Sequence, residues 1–192
     1  MGSREATAAR RAAALADHVV GPSVRDSDAA YAVVVGASVL DVHLTASRGG
    51  LVAGTTVPGR VAFQHGGVGR NIAECAARLG ARVLLISAVG DDAAGREIVA
   101  GLDAAGVDTR GVKVCRTAST PAVACTFDDR GDLAHGVADT AMLESAVDAA
   151  WINRFAPALG RARVMLVEAN LGECRPRCGH TRCRPDPEHA FL

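Results

Sequence analysis

Short, wholly apolar runs alternate with longer amphipathic segments along most of this chain. Residues 31–36, 82–89 and 163–167 are apolar at nearly every position, which predicts strands that are buried on both faces. Segments 70–79 and 91–106 instead repeat apolar residues at helical spacing. Because buried strands that alternate with helices form parallel sheets, the pattern predicts an α/β fold whose sheet is mainly parallel and flanked by helices.

Three further segments interrupt this alternation. Residues 59–64 alternate between apolar and polar positions, and residues 120–127 and 133–137 flank the turn sequence Asp-Asp-Arg-Gly at 128–131. Together they predict a strand and a hairpin in a small second sheet beside the main one. Segment 107–115 reads as a turn followed by a short strand, and segment 142–155 as mostly helical.

The helix over 70–79 is expected to turn Ile72, Cys75, Ala76 and Leu79 inward, and Gly80 is placed to end it. Cys75, Cys115 and Cys125 are widely spaced in apolar surroundings. This arrangement indicates a reducing compartment with buried free thiols.

The two ends of the chain have a different character. Residues 1–30 are rich in Ala, Arg, Asp and Ser and predict a flexible segment, whereas residues 172–192 combine several prolines with Arg and Cys and have no apolar periodicity. We therefore expect one partial domain over residues 31–171, followed by a disordered tail that is foreign to it.

Composition narrows the possible partners. The chain is 49% hydrophobic and 3% aromatic, and its 21 basic residues balance 21 acidic ones. A balanced charge provides no field for nucleic acid or anionic lipid, and no apolar run approaches the roughly 20 residues of a membrane span. We expect a small-molecule ligand rather than nucleic acid or membrane.

The most informative motif is Gly66-Gly67-Val68-Gly69-Arg70-Asn71 at the start of the predicted helix. Adjacent glycines let a ligand approach the backbone, and the helix that follows points free N–H groups at it. The amide of Asn71 offers a donor and an acceptor for a sugar diol. Taken alone, such a turn is also compatible with a plain structural entry to a helix.

Together with Gly80 and Gly90, this spacing resembles the first signature of the PfkB/ribokinase family of carbohydrate kinases. Residues 33–41 resemble the family's first strand, which ends on Asp41. Segments 58–61, 85–92, 119–121 and 151–155 resemble the branch of that family that phosphorylates pseudouridine, particularly its plant members. The resemblance covers about residues 31–171, which is about half of a complete family member.

This resemblance implies a ribokinase-like fold with a small β lid, and an activity that uses ATP and Mg²⁺ to phosphorylate the hydroxymethyl group of a nucleoside or sugar. The expected reaction is the conversion of pseudouridine to pseudouridine 5'-phosphate. By resemblance, Asp41, Gly66, Gly67 and Asn71 hold the ribose. Glu168 and Asn170 occupy a strand end where the family often places further substrate-binding residues, although a strand-end carboxylate is often only a loop contact.

The family's catalytic base is an aspartate in a Gly-Ala-Gly-Asp-like run, beside an anion hole near the C-terminus. This sequence contains no such run, and it departs from the family after Leu171. We therefore assign no catalytic residue and no metal site, and we expect the chain to lack the C-terminal half of the fold. Such a truncated chain is expected to be inactive alone and to bind ATP and Mg²⁺ poorly.

Two alternatives are compatible with the sequence. In the first, the chain is a non-catalytic fragment or isoform that binds ligand or forms a homodimer through the β lid. In the second, it is a sugar-binding module with a zinc-binding tail. The tail residues Cys174, Cys178, Cys183, His180 and His189 miss the usual zinc-finger spacings.

Residues 11–19 resemble, in a degenerate form, the bipartite peroxisomal targeting nonapeptide, because Arg11-Ala12 and His18-Val19 are separated by five residues. The expected location is the peroxisome, with the cytoplasm as the alternative.

Overall fold

The computed structural model describes residues 31–47, 50–52 and 54–168, so that segment 1–30, Asn170 and the tail lie outside the described residues. Within the described ranges, none of the helices is long and apolar enough to cross a membrane. The strands and α-helices of this part are, in chain order, β1 (Tyr31–Val35), β2 (Val39–Ala46), β3 (Gly59–Gly66), α1 (Val68–Arg78), β4 (Arg82–Gly90), α2 (Ala93–Ala104), β5 (Val112–Cys115), β6 (Ala122–Phe127), β7 (Leu133–Asp139), α3 (Ala141–Ala146), α4 (Ala149–Asn153), α5 (Ala156–Leu159) and β8 (Val164–Val167).

The main sheet has the order β5-β4-β1-β8, and every neighbouring pair in it is parallel. The predicted parallel α/β sheet is confirmed, and the strands predicted over 31–36, 82–89 and 163–167 lie within one residue of the bounds of β1, β4 and β8. The prediction that residues 163–167 are buried on both faces is wrong, because β8 forms one edge of this sheet and exposes all four of its side chains.

A second sheet, the lid sheet, has the order β3-β2-β6-β7. The predicted strand and hairpin are both found in it. The sequence did not predict β2 as a separate strand: residues 33–41 resembled one strand, but the chain leaves the main sheet after β1 and resumes as β2 at Val39. Asp41 therefore belongs to the lid sheet rather than to the main sheet.

The core lies on the two faces of the main sheet, because alternate residues of a strand point to opposite sides. Val33, Val35, Leu84 and Ile86 face one cluster, which includes Leu143 of α3. The opposite cluster contains Ile98 and Leu102 of α2, packed with Val34, Val83 and Leu85. Burial of each Leu or Ile side chain contributes about 1.5–3 kcal/mol.

Helix α1 ends as predicted, because Gly80 takes a φ of 89° and its N–H donates to the carbonyl of Ala77. Its inward face is built on Gly69 and Ala73, whereas Cys75 is exposed. The prediction of a buried thiol is therefore wrong for Cys75. Small residues let α1 pack closely on the sheet, which turns Cys75 away from the core. Cys115 and Cys125 are half-buried and free.

Segment 142–155 forms short helices rather than one long one. Asp148 caps α4 by accepting a hydrogen bond from the N–H of Trp151 at 2.7 Å. The indole Nε1 of Trp151 donates to the carbonyl of Gly111 at 2.9 Å. These contacts fasten the helical segment to the turn that precedes β5.

Asp92 caps helix α2 and joins it to the connection that leads into β6. Its carboxylate accepts hydrogen bonds from the N–H of Gly95 at 2.8 Å, and from the hydroxyl and N–H of Thr120 at 2.6 and 2.8 Å. Desolvation by itself would raise the pKa of Asp92, but the hydrogen bonds from Thr120 and Gly95 outweigh it and lower the pKa below its ordinary value.

We expect Asp92→Asn to lower the free energy of unfolding at pH 7 by about 1–3 kcal/mol, since an amide cannot accept at both positions. A lowered folded pKa adds stability above the unfolded pKa of about 3.9, and this stability is lost as the pH falls through the folded pKa. Thermal melts of both proteins between pH 7 and 3 should therefore converge on acidification. A difference that stays constant with pH would contradict this role of the charge.

Candidate functional site

The glycine turn between β3 and α1 packs against the connection between β1 and β2. The N–H of Arg70 donates to the carbonyl of Ala37 at 3.0 Å. A Cβ atom on Gly67 would lie far inside van der Waals distance of that carbonyl oxygen, and Gly67 has a φ of 93°. Glycine is thus required here both for its backbone conformation and for its lack of a side chain.

Asp41 lies on β2, and its carboxylate lies against the start of this turn. A Cβ atom on Gly66 would overlap the carboxylate of Asp41, so that the carboxylate rests directly on the bare backbone of Gly66. The predicted residues Asp41, Gly66 and Gly67 are therefore brought together. The two glycines leave the surface beside the carboxylate free of side chains.

The lid sheet has two chemically different faces. Asp41 lies opposite Gln64 on β3 and Val123 on β6, and it shares its inner face with His43. Val123 packs against the core cluster of the main sheet. The inner face of the lid sheet is therefore turned toward the main sheet, and Asp41 lies at the junction of the two.

Burial raises the pKa of the Asp41 carboxyl above its ordinary value of 3.8, and the charges of His43 and Arg70 partly counteract this increase. Arg70 was not predicted as a site residue. Its signal in the sequence is its position inside the glycine motif, directly before Asn71. In the structure Arg70 is buried, whereas Asn71 is exposed on α1.

Glu168 lies directly after β8, as the sequence placed it, and it is buried. Its Oε2 atom accepts hydrogen bonds from the N–H of Ala37 at 2.7 Å and from the N–H of Gly69 at 3.1 Å. The carboxylate thereby links the end of β8 to the connection between β1 and β2 and to the first turn of α1. A direct contact of Glu168 with substrate stays a prediction, as does the role of Asn170.

Gly67→Ala is expected to lower the free energy of unfolding by about 2–6 kcal/mol. The strained backbone conformation accounts for about 1–3 kcal/mol of this loss, and the clash with the backbone of Ala37 adds about 1–3 kcal/mol. Denaturation by urea measures the loss.

Gly80→Ala is the matched control, because Gly80 has a φ of 89° but no atom within 4 Å of the added Cβ. Gly80→Ala introduces the conformational strain without the clash and is expected to cost about 1–3 kcal/mol. Equal losses in the two variants would show that contact with Ala37 is unimportant.

Comparison with known proteins places this chain in a family. The model of the pfkB family of carbohydrate kinases matches residues 29–159. The chain is 37% identical over 139 residues to pseudouridine kinase of Arabidopsis thaliana, with 72% of this chain and 36% of the relative covered. It is 29% identical over 150 residues to pseudouridine kinase of Escherichia coli, with coverage of 78% and 47%.

The fold is similar to that of Arabidopsis thaliana ribokinase, whose structure was solved in complex with ribose and ATP. The TM-score is 0.61 at 21% identity, with 74% of this chain and 46% of that one covered. The predicted ribokinase-like fold is thereby confirmed. The chain spans between about a third and a half of the length of each of these relatives.

Proposed function

Because the chain belongs to the pfkB family of carbohydrate kinases, we propose that it forms the sugar-binding part of an enzyme that converts pseudouridine to pseudouridine 5'-phosphate. The observation that carries this proposal is the Asp41 carboxylate held over the bare backbone of Gly66 and turned toward the main sheet. Similarity to two proteins named pseudouridine kinase supports the choice of nucleoside.

The proposed binding mode follows from the chemistry of these groups. A carboxylate accepts hydrogen bonds from two neighbouring hydroxyls and thereby selects a vicinal diol, such as that of ribose. Gly66 and Gly67 allow the sugar to approach the backbone. Asn71 adds a neutral contact from α1.

Kinases of this fold use ATP and Mg²⁺, and the plant ribokinase was solved with ribose and ATP. Among residues 31–47, 50–52 and 54–168, no three His, Cys, Asp or Glu side chains are grouped to hold a cation. In kinase sites Mg²⁺ is held by one or two carboxylates together with the phosphates of the nucleotide, and we assign none of these residues to the metal or to ATP. We propose that the 192 residues alone are inactive.

A chimera tests the function. Residues 1–168 are joined to the part of Escherichia coli pseudouridine kinase that follows its matched region. With ATP and Mg²⁺, we expect the chimera to yield pseudouridine 5'-phosphate, detected by mass spectrometry, whereas the bacterial part alone yields none. A folded chimera that phosphorylates ribose but not pseudouridine would refute the substrate.

The second candidate is a non-catalytic fragment that forms a homodimer through the lid sheet. The observation in its favour is the outer face of that sheet, where Phe63, Val42, Ala124 and Val137 form one row across the four strands. Phe63 is 67% exposed and Val137 72% exposed. An apolar row of this kind is typical of a protein interface.

Val137→Glu is expected to convert the dimer to a monomer, since a charge in an apolar interface loses its hydration. Val114→Glu is the matched control, because Val114 is 55% exposed on β5, outside the lid sheet. Sedimentation of both variants and the unmodified chain decides the matter. A dimer that survives Val137→Glu, or an unmodified chain that is monomeric, would refute this interface.

The nonapeptide at residues 11–19 leads us to propose a peroxisomal location, with the cytoplasm as the alternative.

A further inference from the structure

A row of charged side chains along α1 ends on Asn71. The carboxylate of Glu74 pairs with the guanidinium of Arg78 and, one turn earlier, with Nη1 of Arg70. The other terminal nitrogen of Arg70, Nη2, donates a hydrogen bond to Oδ1 of Asn71. Arg70 therefore bridges Glu74 and Asn71 through the two ends of one planar group.

Arg70 is also unusually buried for an arginine. Its side chain is 11% exposed, and its Nε is buried with no hydrogen-bond partner among the described residues. Arginine is rarely buried unless it is paired, and an unpaired buried N–H is unfavourable. The guanidinium thus lies where both terminal nitrogens have partners, whereas its Nε has none among the described residues.

The contact with Arg70 decides how the amide of Asn71 is oriented. An isolated asparagine amide can turn over and present either its oxygen or its NH₂ group to a ligand. A guanidinium only donates hydrogen bonds, so that the amide oxygen must face Arg70. The NH₂ group of Asn71 is then the part left for a ligand.

We propose that Arg70 is a positioning residue that fixes the amide of Asn71 so that it donates a hydrogen bond to an oxygen of the bound sugar. Asp41 then serves as the acceptor of the site and Asn71 as its donor, which gives the sugar one orientation. The sugar ligand in this inference rests on the proposed function, whereas the orientation of the amide does not.

The first experiment needs no ligand. In ¹⁵N NMR spectra of the 192-residue chain, Arg70→Gln is expected to shift the side-chain amide signals of Asn71, assigned with Asn71→Ala. Arg78→Gln is the matched control, since Arg78 shares Glu74 but is 70% exposed and lies two turns away. If Arg70→Gln fails to fold, Arg70→Met is used, because its unbranched side chain donates no hydrogen bond. Unchanged Asn71 signals in the folded variant would overturn the proposal.

The second experiment measures affinity for pseudouridine. Loss of one neutral hydrogen bond weakens binding about tenfold. We expect that loss in Arg70→Gln, in Asn71→Ala and in the double variant alike, because Arg70 acts through Asn71. Asn71→Asp, which has the same shape but no NH₂ group, is expected to bind as weakly as Asn71→Ala. A hundredfold loss in the double variant, or full affinity in Asn71→Asp, would overturn the positioning role.

The two experiments separate this inference from the proposed function. If the unmodified chain binds neither pseudouridine nor ribose while the Asn71 signals respond to Arg70→Gln, the proposed substrate is wrong and the amide orientation stands. If the chain binds pseudouridine but the Asn71 signals are indifferent to Arg70, the positioning role is wrong and the proposed substrate stands.

Discussion

The 192 residues expressed alone are expected to phosphorylate pseudouridine no faster than background, even with saturating ATP and Mg²⁺. In the family that the chain resembles, an aspartate in a Gly-Ala-Gly-Asp-like run removes the hydroxyl proton, and nearby N–H groups stabilise the transferred phosphoryl group. A general base contributes about 10²–10⁴-fold and such donors about 10²–10³-fold. Since this sequence has no such run, the combined loss is about 10⁴–10⁷-fold.

The carboxylates found at the site are not expected to replace that base. One carboxylate oxygen of Glu168 accepts hydrogen bonds from two backbone N–H groups. This favours a role in holding the backbone rather than in removing a proton. Asp41 is proposed to grip ribose hydroxyls rather than the hydroxymethyl group that receives the phosphate. Proton removal requires a base within hydrogen-bond reach of that hydroxymethyl group.

Transfer of radiolabelled phosphate from ATP measures this prediction. The control is the Asp41→Ala chain purified in the same way, because contaminating host kinases would appear equally in both preparations. Product formed by the unmodified chain and absent from the Asp41→Ala chain would contradict the expected inactivity.

The apolar runs predicted the strands of the main sheet correctly, although β8 is exposed rather than buried. The prediction failed at β2, although Leu40, Val42 and Leu44 alternate with polar residues there. The error arose from reading β2 as a continuation of β1. The tertiary structure shows the break at residues 36–38, where the hydroxyl of Ser38 accepts a hydrogen bond from the hydroxyl of Ser87 at 2.9 Å.

At the site, the glycine motif was predicted from the backbone freedom of its glycines and from its resemblance to the family's first signature, whereas Asp41 was predicted from the resemblance alone. Arg70 was missed because a charged residue on a helix is normally exposed, and its burial depends on long-range packing around the turn. Cys75 failed for the opposite reason: its apolar character suggested burial, but Gly69 and Ala73 form the inward face. Ile72 and Ala76 of the predicted face do pack against the core cluster, and Cys75 alone of the three lies outside it.

Asp41→Ala in the chimera with the Escherichia coli relative is expected to lower kcat/KM for pseudouridine by about 30- to 1,000-fold. A carboxylate that accepts from two hydroxyls makes charge-assisted hydrogen bonds, and their loss costs about 2–4 kcal/mol. Asn71→Ala removes neutral contacts and is expected to cost about 1–2 kcal/mol. The effect of Asp41→Ala should fall mainly on KM, because ribose binding is what is lost.

A purely structural role for Asp41 predicts a different result. If the carboxylate only supports the turn at Gly66, the variant should lose stability but keep its KM, and thermal melts beside steady-state kinetics separate the two cases. Asp139→Ala is the matched control, since Asp139 is exposed on β7. It pairs with Ala122, which pairs with Leu40, and all three lie on the outer face of the same sheet. The control should leave kcat/KM unchanged. A well-folded Asp41→Ala chimera with unaltered kcat/KM would refute the sugar-binding role of Asp41, and the assignments of Gly66, Gly67 and Asn71 depend on that role.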